Sequence, residues 1–128
     1  MPGPIKLPHP FILIFAIGLI LYARSLSSGY TNFDDNVLIQ ENQSYISDLS
    51  NLSDAFKKTV FIKGSDVFYR PIETIWFMFN AQIGGSDLFV YHLSSLLLHC
   101  LAACLVFLLF KQFNCSDSAA LLLSLFLL

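Results

Sequence analysis

Between Asp87 and Lys111 the chain carries no Asp, Glu, Lys or Arg for 23 residues. A helix needs about 20 mostly apolar residues to cross a hydrocarbon core of about 30 Å. This stretch meets that length, and its composition suits lipid better than a water-soluble surface. Two further gaps follow the same pattern. There is no charge for 17 residues between Lys6 and Arg24, and none for 11 residues from Ser118 to Leu128. The first gap is slightly short, but Arg24 can snorkel and Leu26 extends the apolar face. The third is too short to span, and it is expected to be the start of a third membrane helix. On that reading the chain is the N-terminal part of a longer multi-span protein, because a C-terminus inside lipid strands unpaired carbonyls.

The composition agrees. Of the 128 residues 55% are apolar and only 12% are charged, with a net charge of −2. An ordinary soluble domain carries about a quarter charged residues. The balance of 7 bases against 9 acids leaves no electrostatic footprint for nucleic acid.

The expected architecture is all-α and membrane-bound: a span over about 10–26, a long outward loop over about 27–87, a span over about 88–110, and the third start over about 118–128. Pro8 and Pro10 mark the entry to the first helix. Arg24 at its exit, and the lack of a clean cleavage site, favour a retained anchor over a cleaved signal. The short flanks around Lys6 and from Lys111 to Asp117 place those ends in the cytoplasm and the long loop outside. The loop from Ser25 to Asp87 holds 8 acids and 4 bases.

Cys100 and Cys104 lie one turn apart within the second span and read as small packing residues. Cys115 has no evident partner, so no disulfide framework follows. Asn42, Asn51 and Asn114 begin Asn-x-Ser triplets, which are common by chance.

The loop is patterned. Near its start stands Thr31-Asn32-Phe33-Asp34-Asp35-Asn36, a polar knot close to the membrane surface. Leu49, Leu52, Phe56 and Val60 recur every three or four residues, which predicts an amphipathic helix capped by Ser50 or Asn51 and ended by Gly64. A second amphipathic helix is predicted from Pro71 to about Ile83, stopped by Gly84-Gly85. Its stripe is Ile72, Ile75, Phe79 and Ile83, with Trp76 beside it at a level suited to the membrane interface. Tyr69 and Arg70 precede that helix, where an arginine is well placed for a phosphate. The plain alternative is an Arg70 ion pair with a loop acid such as Asp66. In the second span His92 and His99 lie on nearly one face. Ionisable groups within spans are candidate sites, and His92, near the outer surface, is the stronger of the two.

Phe33-Asp34-Asp35, Tyr69-Arg70-Pro71, His92-Leu93 and Leu97-Leu98-His99, in this order, resemble the N-terminal part of polytopic glycosyltransferases of the GT-C type. The pattern is most similar to the protein O-mannosyltransferase-like group, including its transmembrane and tetratricopeptide-repeat-containing members. The resemblance implies transfer of a sugar from a polyprenyl-phosphate carrier to a protein or glycan acceptor hydroxyl at the extracytoplasmic or lumenal face. The membrane would be a bacterial inner membrane or the endoplasmic reticulum. It implies Asp34 as general base and Asp35 as helper or ligand to a divalent metal. Arg70 would neutralise the donor phosphate, with Tyr69 and His92 as further candidates there. The chain departs from the pattern at Ser94 and Ser95, where an Asn is expected after His-Leu. A piece of this length, lacking most of the lipid groove, is not expected to be active alone. The competing reading is a non-catalytic membrane module, part of a transporter or an adaptor that presents its loop to a partner.

Overall fold

The computed structural model describes residues 9–31, 34–62 and 68–128. Phe33 of the acidic motif, Gly64, Asp66 and the stretch containing Lys6 and Pro8 lie outside the described residues. Among the described residues the chain is helical throughout, with no strand. It divides into two compact units. One joins Leu93–Leu128 to the described residues through Ser25, and the other is Leu26–His92.

In the first unit, α1 (Pro10–Tyr22) begins with proline at its first position, where the missing N–H is harmless. It tightens into a 3₁₀ segment, Ala23–Ser27. The long helix α4 (Leu88–Gln112) and the shorter α5 (Asp117–Leu125) complete the set. Ser116 caps α5, its hydroxyl accepting from Ala119 N at 3.3 Å, and Lys111 pairs with Asp117 at 2.7 Å. The stretches Pro10–Ser27 and Leu88–Gln112 are long and apolar enough to cross a membrane. Only 28% of the most apolar part of α4 is buried, so most of it lacks the cover that a soluble core helix needs. Leu97, Leu98, Leu101, Leu105, Leu108 and Leu109 are all exposed, as are Ile12, Leu19, Ile20 and Leu21 of α1.

What the unit buries is small. Gly18, Cys100, Ala103, Ala120 and Ser124 are buried, beside Ile14, Cys104, Phe107 and Leu121. Close helix approach through small residues is how helices associate where apolar burial supplies no driving force. A Cβ added to Gly18 would lie 2.5 Å from Cys100 Sγ. Phe11 meets Phe107 edge-on at 5.7 Å, and Tyr22 meets His99 in the same manner at 5.6 Å. His99 therefore has a packing role against α1. Cys100, Cys104 and Cys115 are free thiols.

The second unit contains a π-helical turn (Asn36–Gln40), the one-turn helix α2 (Gln43–Ile46), 3₁₀ turns at Leu49–Leu52 and Asp54–Phe56, and α3 (Pro71–Gly84). Its core is Leu38, Ile39, Ile46, Ala55, Val60, Met78, Ala81 and Tyr91. Each large apolar side chain buried there contributes about 1.5–3 kcal/mol.

The predicted continuous helix through Leu49–Val60 does not form. Asp48 Oδ1 accepts from Ser50 N at 2.9 Å, and Asn51 Nδ2 donates to Tyr45 O at 3.0 Å. These local polar bonds offer the backbone an alternative to α-helix, and the segment folds as two short turns. The cap is Asp48, not Ser50 or Asn51. Leu49 and Phe56 of the predicted stripe are exposed, while Ala55 and Val60 are buried.

Helix α3 starts at Pro71 and runs to Gly84. Gly85, at φ +60°, ends it by donating to Ala81 O at 2.9 Å. That backbone conformation favours glycine. The buried face of α3 is Thr74, Met78 and Ala81, whereas Ile72, Phe79 and Ile83 stand exposed at 71%, 48% and 78%. The apolar stripe read from the sequence is therefore the outer face, and the core uses the neighbouring one.

Candidate functional site

The acid pair opens the π-helical turn. Asp35 stands at its N-terminal cap position. One Asp35 carboxylate oxygen accepts from both donors of Thr31, the backbone N at 3.1 Å and the hydroxyl at 2.7 Å. Asp34 is exposed, and among the described residues its carboxylate has no hydrogen-bond or ion-pair partner. The two neighbours thus differ: one is tied into the backbone, the other open to solvent.

Arg70 is the residue before α3. Its carbonyl accepts from Thr74 N at 3.2 Å, and its guanidinium pairs with Glu73 at 3.3 Å. The guanidinium also stacks 5.5 Å from the Phe68 ring. The predicted plain alternative, a loop acid as partner, is met by Glu73 rather than Asp66. Both partners are solvent-exposed to a degree that makes the pair weak, on the order of 0–1 kcal/mol. Tyr69 is exposed along its ring, but its hydroxyl donates to Phe56 O at 2.8 Å and fastens the chain ahead of α3 to the 3₁₀ turn at Asp54–Phe56. His92 is half-buried in α4, and its Nε2 is buried without a hydrogen-bond partner. Among the described residues no hydrogen bond or ion pair joins Asp34 or Asp35 to Arg70, Tyr69 or His92.

A divalent metal is not supported by the donor set. Among the described residues no three His, Cys, Asp or Glu side chains gather to hold one, and Asp35 already serves Thr31.

Two features escaped the sequence reading. The first is a polar cluster of Tyr45, Asp54 and Lys58. Asp54 Oδ2 accepts from the Tyr45 hydroxyl at 3.2 Å and from Lys58 at 2.7 Å, and Lys58 sits 5.0 Å from the Tyr45 ring centre. Burial, followed by the bond to Asp54 and its charge, pushes the Tyr45 phenol up to about 12. The Lys58 ammonium holds Asp54 below the usual carboxylate range, and the Ser50 N–H does the same for Asp48. The i, i+4 spacing of Asp54 and Lys58 was the available signal. The second is an open cleft of about 350 Å³ lined by Tyr30, Gln40, Gln43 and Ser86. No local motif announces it, because its walls come from separate turns.

An all-helical chain with two helices able to span a membrane, bracketing a small polar unit that bears an acid pair, is the class defined so far. No family model matches the chain, and no solved structure does. Among curated proteins, it is 33% identical over 92 residues to Protein O-mannosyl-transferase tmtc2 of Xenopus laevis, covering 69% of this chain and 11% of that protein. It is 34% identical over 88 residues to Protein O-mannosyl-transferase TMTC2 of Homo sapiens, covering 66% and 10%. It is 33% identical over 97 residues to Protein O-mannosyl-transferase Tmtc1 of Drosophila melanogaster, covering 73% and 11%. The chain spans about a tenth of the length of the curated relatives it matches.

Proposed function

We propose that this chain is a working part of a multi-pass membrane glycosyltransferase that takes a sugar from a polyprenyl-phosphate carrier. The acceptor is a protein or glycan hydroxyl at the extracytoplasmic or lumenal face. The observation that carries this reading is the similarity, over about two thirds of the chain, to proteins named as O-mannosyl-transferases. The two apolar helices and the polar unit between them support it. The exposed apolar stripe of α3, with Trp76 beside it, suits a helix lying along the bilayer surface, its polar surroundings at the head groups.

The acid pair divides the work. Asp34, with a carboxylate free of partners among the described residues, takes the proton from the acceptor hydroxyl. The oxygen attacks the anomeric carbon as the bond to the carrier phosphate breaks, and the electron pair leaves on the phosphate. Asp35, held by Thr31, shapes the turn and keeps its neighbour presented. Arg70 swings from its weak pair with Glu73 to meet the phosphate charge, which grows as the bond breaks. Tyr69 acts on the same region by fixing the approach to α3, and the unpaired Nε2 of His92 is available to a head-group oxygen.

The test is sugar transfer from a polyprenyl-phosphate donor in membranes containing this chain, and any longer product of its reading frame. Transfer above control membranes supports the reading. A second reading, a non-catalytic module, draws on one observation: Asp35, Tyr69 and Arg70 all have structural partners within the unit. Membranes with the correctly inserted protein but no transfer favour it.

A further inference from the structure

The cleft in the Leu26–His92 unit is bounded by one phenol, two primary amides and one hydroxyl, from Tyr30, Gln40, Gln43 and Ser86. No lining group carries a charge. At about 350 Å³ it lies at the small end of the range for small-molecule sites, about 300–1,000 Å³. Gln43 has one amide atom tied, with Nε2 donating to Ser47 Oγ at 3.1 Å, and the other, Oε1, buried without a partner. A buried unpaired polar atom costs roughly 1–3 kcal/mol, so it calls for a partner the chain does not supply. Tyr30 packs against the apolar core of the unit, which fixes its ring.

The cleft is also placed beside the acid pair. Tyr30 directly precedes Thr31, the residue that holds Asp35, and Gln40 closes the turn that Asp35 opens. Its chemistry excludes most ligands. A phosphate or carboxylate meets no cation there. An acyl chain leaves two amides and two hydroxyls without partners. An uncharged ring bearing several hydroxyls offers both donors and acceptors to the amides and a flat C–H face to the tyrosine.

We propose that this cleft is a binding subsite for an uncharged pyranose ring. The proposal deepens the transferase reading, and its purpose rests on that reading, by naming which part of a substrate the unit holds.

The experiment is saturation-transfer NMR on the chain in detergent micelles, with methyl α-D-mannopyranoside as probe and methyl phosphate as the anionic comparison. Gln40→Ala and Ser86→Ala alter exposed residues, and circular dichroism checks that each variant remains folded. The expected result is a saturable sugar signal, no competition by methyl phosphate, and affinity at least about 5-fold weaker in each variant, the loss of roughly one hydrogen bond. A missing sugar signal, a signal equal in wild type and both variants, or competition by methyl phosphate overturns the proposal. Sugar binding in a chain that shows no transfer upholds the cleft and overturns the transferase reading. Transfer without binding at the cleft does the reverse.

Discussion

Thr31 holds Asp35 with both of its donors on a single carboxylate oxygen, at 3.1 Å from the backbone N and 2.7 Å from the hydroxyl. The bond closes a small ring ahead of the π-helical turn Asn36–Gln40 and leaves Asp34 outside it. Thr31→Val keeps the shape and removes the hydroxyl donor. The expected cost is about 0.5–1.5 kcal/mol, or roughly 2- to 13-fold faster amide exchange through that turn. Hydrogen-exchange mass spectrometry checks it, and unchanged exchange contradicts the capping role.

Arg70 and Glu73 compete with any anion brought to the start of α3. Their pair is 3.3 Å long and exposed, so releasing it changes little in stability. Glu73→Gln is expected to lower the donor KM by about 1.5- to 5-fold, the range of an exposed pair. Arg70→Ala is expected to raise it more than Arg70→Lys does. Donor kinetics equal in wild type and Arg70→Ala remove Arg70 from the phosphate site.

Gly18 and Cys100 meet too closely for a side chain between them. A Cβ at residue 18 lies 2.5 Å from Cys100 Sγ, so Gly18→Ala forces the thiol to move. Overpacking of this kind costs typically about 1–3 kcal/mol. In a Cys100→Ala background the same substitution is expected to cost much less. A double-mutant cycle of unfolding in mixed micelles measures the coupling. Additive effects contradict the close approach of α1 and α4.

Tyr45 titrates high because its phenol is partly buried and bonded to the Asp54 carboxylate. A raised folded-state value means that the neutral phenol stabilises the fold fully below the ordinary value of 10.0, and that this contribution is lost as pH rises through about 12. Tyr45→Phe is expected to remove one phenolate transition near 12 in an ultraviolet titration. Asp54→Asn lowers it only partway, since burial is the larger cause. The carboxylates Asp48 and Asp54 behave oppositely. Their lowered values give stability above the ordinary carboxylate range that is lost as pH falls through the folded-state values.

The charge gap after Asp87 made α4 legible, and Pro71 with Gly84-Gly85 marked both ends of α3, because these signals act through backbone chemistry within a few residues. The Leu49–Val60 stripe misled. Periodicity reports which side chains are apolar, but Asp48, Asn51 and Asp54 set the backbone by bonding to it locally. The α3 stripe misled differently. Where a second apolar environment is available outside the protein, the most apolar face of a helix need not be the one that faces the core. For the candidate site, the sequence singled out Asp34, Asp35 and Arg70 by type and position. It did not reveal that Thr31 distinguishes the two acids, nor that Tyr30, Gln40, Gln43 and Ser86 share a cleft. Such relationships arise from turns whose geometry no short motif encodes.

The central claim is that Asp34 accepts the acceptor proton, and transfer from a polyprenyl-phosphate donor by the Asp34→Asn variant tests it most directly. Membrane insertion is checked by protease protection in the same preparation. The account predicts normal insertion with transfer reduced at least about 100-fold, in the range by which general-base catalysis accelerates such steps. Asp35→Asn is predicted to lose transfer as well, through the turn it shapes. Inserted Asp34→Asn protein that transfers sugar at the wild-type rate contradicts the account.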